Sequence, residues 1–357
     1  MRSTAAEVVE VAVGVLQDAD RGYLLSRRRP DVHQPGRWEF PGGKVEPGES
    51  PAAALCRELT EELGIRPLRL RALQALRYDY PDRTVRLHAY EVLAHEGAPQ
   101  AREGQRLDWV PAQRLADLAL PDANRGLLAA LALPRAYLIT DVPGGGAAAD
   151  RDWLRCLERA LAGGIRLACA RLPALAAPRR RALEVAFVER CAAAGTDWLL
   201  HAEPERALEL AAALPAGATG RGGVHLPARV AATLDARPVP PELWCAVSCH
   251  DRAELAQARR LGADFAVLGP VRPTRSHPGR SAMGWAAFAA LAAELPFPVY
   301  GLGGLGARDL PQAVQVGARG VAGISAFWAP DLAPAELRAL GAFQPPELCC
   351  TGAGASV

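Results

Sequence analysis

The spacing of apolar and polar positions changes along the chain and predicts two kinds of structure. Residues 7–16 form an apolar run typical of a strand, and residues 23–26 follow a short polar turn, which indicates a hairpin. Leu55, Leu59 and Leu63 recur every four residues and predict a helix with one core-facing stripe. The second half of the chain alternates short apolar runs with Ala/Leu-rich helical runs. Because the elements alternate in this way, we expect an α/β protein.

The predicted helix carries an unusual concentration of acidic residues. Ser50 suits its N-cap and Gly64 suits its C-terminal stop. Glu58, Glu61 and Glu62 are spaced so that they share a face, and they lie near the helix end at which the dipole disfavours anions. A hard divalent cation prefers carboxylate oxygens and would relieve this repulsion. The helix therefore predicts a metal site for a phosphate-bearing substrate.

The spacing around this helix matches a known motif. It runs Gly43-x5-Glu49-x7-Arg57-Glu58-Leu59-x-Glu61-Glu62-x-Gly64-Ile65. This resembles the Nudix box at all nine specified positions. The resemblance implies a Nudix α/β/α sandwich and a pyrophosphohydrolase that uses Mg²⁺, with Mn²⁺ as the alternative ion. It also implies that Glu58, Glu61, Glu62 and Gly42 hold the metal and that Arg57 orients the carboxylates.

Three further segments narrow the resemblance. They are Trp-Glu-Phe-Pro-Gly-Gly-Lys at 38–44, Glu-Gly-Gln at 103–105 and Pro-Asp-Ala-Asn at 121–124. Over residues 8–132 the chain is similar to the MutT branch, which hydrolyses 8-oxo-dGTP to 8-oxo-dGMP and pyrophosphate and so keeps damaged nucleotides out of DNA replication. The match implies that Glu103 is a further metal ligand or the general base. Phe40, Lys44 and Asn124 would contact the nucleoside triphosphate substrate, and Arg28, from a run of three arginines, is a candidate for its phosphates.

Asn124 also has a chemical rationale as the residue that reads the base. Its side chain offers a donor beside an acceptor, whereas guanine shows two acceptors, O6 and N7, on one edge. The 8-oxo form carries a proton on N7, so that edge becomes an acceptor beside a donor. Asn124 can therefore pair twice with 8-oxoguanine and once with guanine. A role as cap of the following helix is compatible with this contact.

The second half of the chain predicts a (β/α)8 TIM barrel. Eight strand-like runs alternate with helical runs, at residues 137–141, 164–170, 197–200, 223–226, 243–248, 264–268, 298–301 and 320–324. We therefore expect a first domain at 1–133, a barrel at 134–345 and a disordered tail at 346–357, which is rich in small residues.

Short motifs at the ends of these predicted strands resemble the thiamine phosphate synthase and TenI superfamily over residues 136–328. The motifs are Val-His-Leu at 224–226, Val-Ser-Cys-His at 247–250, Gly-Pro-Val-Arg-Pro-Thr at 269–274, Gly-Leu-Gly-Gly at 301–304 and Ile-Ser-Ala at 324–326. The resemblance implies a phosphate ester bound by Gly303, Gly304, Ser325 and Thr274. It also makes His250 a candidate acid–base residue, as in the metal-independent thiazole tautomerases.

Several positions depart from the synthase pattern and leave the barrel's activity open. Arg171 remains from the motif after the second strand but its lysine is missing, and neither His201-Ala202 nor residues 227–230 supply the magnesium-binding acids. Three interpretations remain: a degenerate phosphate-binding module, a TenI-like tautomerase, or a synthase with a rearranged site. In the last, the basic residues Arg275, His277 and Arg280 would partly replace the cation.

Composition excludes some functions. The net charge of the 357 residues is +2, so nothing favours direct binding of duplex DNA. The sequence has no signal peptide and no apolar run long enough to cross a membrane, and its eight cysteines follow no metal-binding pattern, so a cytoplasmic location is expected. Two rival functions stay open: a hydrolase of thiamine-pathway pyrophosphates, and a non-catalytic sensor whose two domains only bind ligands.

Overall fold

The computed structural model describes residues 8–28, 34–274, 281–328, 338 and 342–350. The chain divides into two compact units. The first contains Met1–Ala132, Ala293–Pro296 and Gln344–Val357, and the second contains Leu133–Ala292 and Phe297–Phe343. The basic candidates Arg275, His277 and Arg280 lie outside the described residues.

The elements are numbered in chain order. The strands are β1 (Val8–Val15), β2 (Gln17–Asp18), β3 (Gly22–Arg27), β4 (Trp38–Glu39), β5 (Gly42–Lys44), β6 (Arg66–Asp79), β7 (Thr84–Glu96), β8 (Arg106–Val110), β9 (Ala136–Ile139), β10 (Leu167–Ala170), β11 (Asp197–His201), β12 (Gly222–Leu226), β13 (Trp244–Cys249), β14 (Phe265–Leu268), β15 (Val299–Gly301), β16 (Gly320–Gly323) and β17 (Glu347–Cys349). The helices are α1 (Pro51–Leu63), α2 (Ala123–Ala132), α3 (Gly146–Ala162), α4 (Ala177–Ala193), α5 (Pro204–Ala213), α6 (Ala228–Ala231), α7 (Arg252–Arg260), α8 (Gly284–Ala292), α9 (Leu310–Gln315) and α10 (Ser325–Trp328).

The first unit is an α/β/α sandwich, as predicted. Within the described residues its larger sheet has the order β17-β6-β7-β1-β5, in which β1 and β7 are parallel and the other pairs are antiparallel. Successive side chains of a strand point to opposite faces of the sheet. Ala12 therefore packs in a cluster with Leu59 of α1, whereas Val13 packs with Leu127 of α2. A smaller sheet places β3 between β4 and β8, with β2 paired to the same strand.

Helix α1 begins and ends as the sequence predicts. The side chain of Ser50 accepts a hydrogen bond of 3.2 Å from the backbone N–H of Ala53. Gly64 adopts a left-handed conformation with φ of 68°, and its N–H reaches the last turn of the helix. Both ends are thus defined by local chemistry, which fixes the rotation of the helix and the direction of its acidic face.

The predicted disordered tail is wrong over residues 347–349. These residues form β17, which pairs antiparallel with β6 and aligns Leu348 with Leu70. Leu348 packs against the core under α1, and Glu347 forms an ion pair with Arg69 at 3.0 Å. Exposed Glu347 and Cys349 flank the more buried Leu348, as in an edge strand. The many small residues around this segment made it resemble a disordered tail in the sequence.

The second unit is the predicted (β/α)8 barrel. In the part of the chain that the structure describes, eight parallel strands close in the order β9-β10-β11-β12-β13-β14-β15-β16. Large aromatic side chains fill the interior, among them Tyr137, Phe265 and Tyr300, whose ring centroids lie 5.6–5.7 Å apart. All eight strands run in one direction, so the loops that follow them meet at one face. No described helix is long and apolar enough to cross a membrane.

Candidate functional site

Arg57 organises the acidic helix of the first unit. Its guanidinium lies 2.8 Å from Glu49, 2.9 Å from Glu58 and 3.4 Å from Glu61. It also donates a hydrogen bond of 3.0 Å to the carbonyl oxygen of Lys44. The hydrogen bond from Arg57 is the main reason that the pKa of Glu49 lies below its usual value. One side chain thus joins the loop before α1 to two carboxylates on the helix.

The acidic residues of α1 differ in exposure, and their pKa values follow that difference. The side chain of Glu61 is 58% exposed, whereas Glu58 and Glu62 are largely shielded from solvent. Burial raises the pKa of Glu58. Burial, followed by the charges of Glu58 and Glu103, raises the pKa of Glu62 to about 7. Glu62 accepts a long hydrogen bond of 3.4 Å from the N–H of Gly42.

Two glycines bring the backbone against these carboxylates. A Cβ atom at Gly43 would collide with the carboxylate of Glu58. Gly42 has φ of 142°, and a Cβ atom there would overlap the carbonyl group of Ala12. Gly42 therefore requires glycine, because its contacts are with backbone atoms, whereas a side chain at Gly43 would displace the carboxylate of Glu58.

The chemistry of this cluster fits a divalent cation. Among the described residues no three acidic, histidine or cysteine side chains form a finished metal site. Arg57 instead holds Glu58 and Glu61. Within the described residues the partly buried carboxylate of Glu62 forms no ion pair, and a hard cation with carboxylate ligands would compensate its charge.

Glu103 lies near the carboxylates of α1, although it is far from them in sequence. It sits in the turn before β8, and its charge raises the pKa values of Glu58 and Glu62. Its N–H donates a hydrogen bond of 2.9 Å to the side chain of Gln105, whose amide in turn donates to the carbonyl oxygen of Glu62 at 3.0 Å. The turn is thereby tied to the end of α1.

Asn124 carries an unsatisfied polar atom. It lies in the first turn of α2 and is 5% exposed, and its Oδ1 atom has no hydrogen-bond partner within the described chain. A buried acceptor of this kind costs free energy unless something donates to it. The preceding N–H, of Ala123, donates a hydrogen bond of 3.2 Å to the hydroxyl of Tyr80, which fixes the start of the helix.

A continuous set of side chains links this turn to the acidic helix. The charge of Arg28 acts on Tyr80, and Arg28 forms an ion pair with Glu39. Burial raises the pKa of Glu39, and the charge of Glu39 acts in turn on Glu62. Arg28 and Glu39 therefore connect the surroundings of Tyr80 electrostatically with Glu62.

The structure places two predicted substrate residues differently. The ring of Phe40 is 1% exposed in the hydrophobic core and lies edge-on to Tyr23 at 6.4 Å, so only its backbone can reach a ligand. Lys44 is exposed on β5. Glu39 and Tyr80 were not predicted. Glu39 stands inside the motif at residues 38–44, three positions before the metal-binding candidate Gly42. That position was the signal that could have identified it.

The candidate phosphate residues of the barrel line one pocket. It has a volume of about 580 Å³ and lies at the ends of strands β14, β15 and β16. Thr274, Gly303, Gly304, Ser325 and His250 all contribute to its wall. At Gly303, with φ of 104°, a Cβ atom would press on Pro270 at 2.7 Å, so the close approach of the two loops requires glycine.

His250 lies between the pocket and helix α7. Its Nδ1 atom is 2.7 Å from the carboxylate of Glu254, and its backbone N–H donates a hydrogen bond of 2.7 Å to the same oxygen. The carboxylate fixes the orientation of the ring. The backbone contact also joins His250 to the first turn of α7.

A buried polar chain crosses the barrel near the same face. The hydroxyl of Tyr137 lies 2.8 Å from Nδ1 of His225, whose Nε2 lies 2.8 Å from the hydroxyl of Ser248. Burial lowers the pKa of His225 to about 3. Burial, followed by the charge of Arg171, lowers the pKa of the neighbouring His201 to about 4. Both rings are thus neutral at neutral pH. The sequence did not predict that Tyr137, His225 and Ser248 would be linked in this way.

The two units fall into separate classes of enzyme domain. An acidic helix organised by an arginine, on an α/β/α sandwich, is the arrangement of a Nudix-type pyrophosphohydrolase. Eight parallel strands with a pocket beside the last three are typical of a phosphate-binding (β/α)8 barrel.

Comparison with known families agrees with this division. Residues 8–131 match the NUDIX domain and residues 136–327 match the family described as thiamine monophosphate synthase, so the chain belongs to both families.

Three relatives show how far the similarity extends. An 8-oxo-dGTP diphosphatase of Escherichia coli (strain K12) is 37% identical over 123 residues, which are 34% of this chain and 95% of that protein. A CTP pyrophosphohydrolase of the same organism is 37% identical over 130 residues, 36% of this chain and 96% of that protein. A protein of Geobacter sulfurreducens named "Putative thiamine-phosphate synthase" is 38% identical over 221 residues, 59% of this chain and 94% of that protein.

The two neutral histidines of the barrel predict a loss of stability in acid. Their folded pKa values, about 4 for His201 and about 3 for His225, lie below the ordinary 6.5. Below pH 6.5 the unfolded chain therefore binds protons that the native barrel does not, and each group lowers the free energy of unfolding by roughly 1.4 kcal/mol per pH unit. Urea unfolding at pH 7.0 and pH 4.5, followed by hydrogen-exchange pulses on peptides from β11 and β12, measures the loss.

Replacement of one histidine tests the cause. The variant His225→Gln should lose less stability than the wild type between the two pH values, whatever its stability at pH 7.0. His95→Gln, at an exposed histidine of the other unit, should leave the barrel's pH dependence unchanged. An unaltered pH dependence in His225→Gln would show that the buried ring is not responsible.

Proposed function

We propose that the first unit hydrolyses 8-oxo-dGTP to 8-oxo-dGMP and pyrophosphate, with Mg²⁺ as the metal. The observation that carries this proposal is the buried, unpartnered Oδ1 atom of Asn124. The protonated N7 of 8-oxoguanine would donate to this atom, while the Asn124 amide would donate to O6. In ordinary guanine N7 is an acceptor, so Oδ1 would face another acceptor and the contact would be lost.

The acidic helix supplies the other half of the site. Glu58, Glu61, Glu62 and Glu103, with the carbonyl group of Gly42, are the residues that would hold the metal. A bound Mg²⁺ supplies charge neutralisation at the phosphates and a more acidic water. Arg57 keeps the carboxylates oriented through its contacts with Glu49 and Glu58. Glu103 remains the candidate for general base, since it joins the cluster from a separate turn.

Basic residues near the cluster are the candidates for the triphosphate. Lys44 lies on the exposed side of β5, directly before the loop that Arg57 fixes. Arg28 is paired with Glu39, and a phosphate would compete for its guanidinium. We place the reaction in the cytoplasm, because the described cysteines are free thiols.

Two other substrate classes have specific support. The relative named CTP pyrophosphohydrolase favours a pyrimidine nucleotide as the second candidate. The barrel fused to this unit favours pyrophosphates of the thiamine pathway. Turnover of 8-oxo-dGTP, dGTP, CTP and a pyrimidine pyrophosphate, each measured as kcat/KM with Mg²⁺, ranks these substrates. A chain that turned over none of them would be a ligand sensor.

Metal dependence is tested at the carboxylates. We expect Glu58→Gln and Glu61→Gln to lower kcat by roughly a hundredfold or more, because an amide holds a hard cation poorly. The helix should be no less stable, since like-charge repulsion falls. Turnover is measured across a Mg²⁺ titration, and thermal unfolding is measured alongside.

The exposed Glu46, in the same loop region, provides the control. Glu46→Gln should keep both turnover and the Mg²⁺ response of the wild type. If Glu61→Gln also kept full turnover with an unchanged Mg²⁺ response, the assignment of the metal to this helix would be wrong.

Base selection is tested at Asn124. We expect Asn124→Ala to reduce the preference for 8-oxo-dGTP over dGTP by a factor that corresponds to about 1–3 kcal/mol, the value of one bidentate base contact. The measurement is the ratio of kcat/KM for the two nucleotides. The concentration of Mg²⁺ that gives half-maximal rate should change little.

The neighbouring Arg125 is highly exposed and serves as the matched control. Arg125→Ala should preserve the substrate ratio. An unchanged ratio in Asn124→Ala would remove Asn124 from the base site.

For the barrel we propose a phosphate-ester site without thiamine phosphate synthesis. Thr274, Gly303, Gly304 and Ser325 surround one pocket and supply backbone N–H groups and hydroxyls for an anion. The synthase reaction also requires a leaving pyrophosphate to be stabilised, and His201 and Ala202 occupy the place of the usual acidic residues. The alternative is a tautomerase-like activity in which His250, oriented by Glu254, is the acid–base residue.

The test uses the full chain with the variant Glu58→Gln, because its first unit would not hydrolyse the added pyrophosphate substrate. With a thiazole phosphate, a pyrimidine pyrophosphate and Mg²⁺, we expect binding of the thiazole phosphate and no formation of thiamine phosphate. Turnover comparable with an ordinary synthase would contradict the proposal. Failure to bind any phosphate ester would leave the barrel as a scaffold.

A further inference from the structure

Two loops that line the barrel pocket are joined to one another. One follows β14 and the other follows β15. The N–H of Val271 donates to the carbonyl oxygen of Leu302 at 2.7 Å, and the N–H of Arg272 donates to that of Gly303 at 3.2 Å. A change in the position of one loop therefore moves the other.

A buried carboxylate lies behind this pair of loops. Asp309 is 3% exposed, and one of its oxygens lies 2.8 Å from Nη1 of Arg272. Its other oxygen accepts a hydrogen bond of 2.8 Å from the N–H of Gly306. A buried carboxylate is costly unless it is paired and hydrogen-bonded, and both requirements are met here by the two loops.

We propose that Arg272 and Asp309 are positioning residues of the barrel's phosphate site. Neither side chain lines the pocket, whereas Thr274, Gly303 and Gly304, on the loops that they connect, do. The ion pair fixes the separation of the loops, and with it the positions of the backbone N–H groups that face the anion. This inference rests on the proposed phosphate site.

The packing between the loops leaves little room for alternative positions. A Cβ atom at Gly304 would lie 2.9 Å from the carbonyl oxygen of Pro273, and one at Gly303 would lie 3.2 Å from that of Arg272. The loops thus meet at glycine positions, where the backbones are in direct contact. Displacement of either loop would move several donors at once, and anion binding depends on all of them.

The variant Asp309→Asn separates positioning from charge. Asparagine keeps the size of the side chain and an acceptor for Gly306, but it loses the ion pair with Arg272. If charge alone mattered, removal of a negative charge near the pocket would strengthen the binding of an anion. Positioning predicts the opposite result, a weakening of phosphate binding by roughly tenfold.

Arg272 gives a second, independent comparison. Arg272→Gln should weaken phosphate binding, and Arg272→Lys should restore part of it, because lysine keeps the charge but offers no planar fork to the carboxylate. The double variant Arg272→Gln/Asp309→Asn should be no weaker than the poorer single variant, since both changes break the same pair. The exposed Asp235 supplies the charge control, and Asp235→Asn should bind as the wild type does.

The experiment is a calorimetric titration of the full chain with inorganic phosphate in EDTA. Ser325→Glu, which puts a carboxylate into the pocket, defines the heat that arises elsewhere. If the wild type gives no more heat than Ser325→Glu, the proposed phosphate site fails, and this inference fails with it. If the wild type binds and Asp309→Asn binds equally well or better, the positioning role is overturned while the phosphate site stands.

Thermal unfolding accompanies each titration to identify variants that do not fold. If Asp309→Asn is unfolded, the two Arg272 variants decide the outcome, because the partly exposed arginine can be replaced with less disturbance of the core. Because Arg272→Lys keeps the charge, weaker phosphate binding by Arg272→Lys than by the wild type, at similar unfolding temperatures, supports positioning. Phosphate affinity of Arg272→Lys equal to that of the wild type overturns it.

Discussion

The repulsion between the partly buried carboxylates of Glu58 and Glu62 is the constraint on which the arrangement of the first unit depends. Glu58 and Glu62 lie close together in the second half of α1, and Arg57 contacts Glu58 and is shared with Glu49 and Glu61. The surrounding structure maintains this unfavourable arrangement. Caps define both ends of the helix, and Gly42 and Gly43 let the sheet approach it closely. A divalent cation with carboxylate ligands would relieve this repulsion.

The barrel accommodates its buried polar groups differently. Its polar interior is neutral, because burial keeps His201 and His225 unprotonated and hydrogen bonds satisfy His225 on both sides. One of its buried charges, the carboxylate of Asp309, is matched by one arginine and one backbone N–H. The first unit thus leaves the carboxylate of Glu62 with only a long hydrogen bond in the described contacts, whereas the carboxylate of Asp309 in the second unit is paired and hydrogen-bonded.

The sequence predicted the fold well because its signals were local. Ser50, Gly64 and the leucine stripe determine α1, and the regular alternation after Tyr137 determines the barrel strands. Burial was harder to predict. Phe40 belongs to a motif that suggests ligand contact, yet its ring lies in the core, and Glu39 beside it faces Arg28. The pairing of Arg272 with Asp309 joins positions that are far apart in sequence, and no spacing rule reveals it.

Strand β17 makes the hydrolase unit discontinuous in sequence. Residues 347–349 complete an edge of the sheet whose other strands precede residue 97, so the whole barrel sequence lies between them. During synthesis, β6 remains an open edge until the barrel has been translated. An open edge is a template for pairing with other chains. Strand β17 therefore covers this edge only late in synthesis. A protein shortened before Glu347 would expose a pairing surface even though its acidic helix was intact.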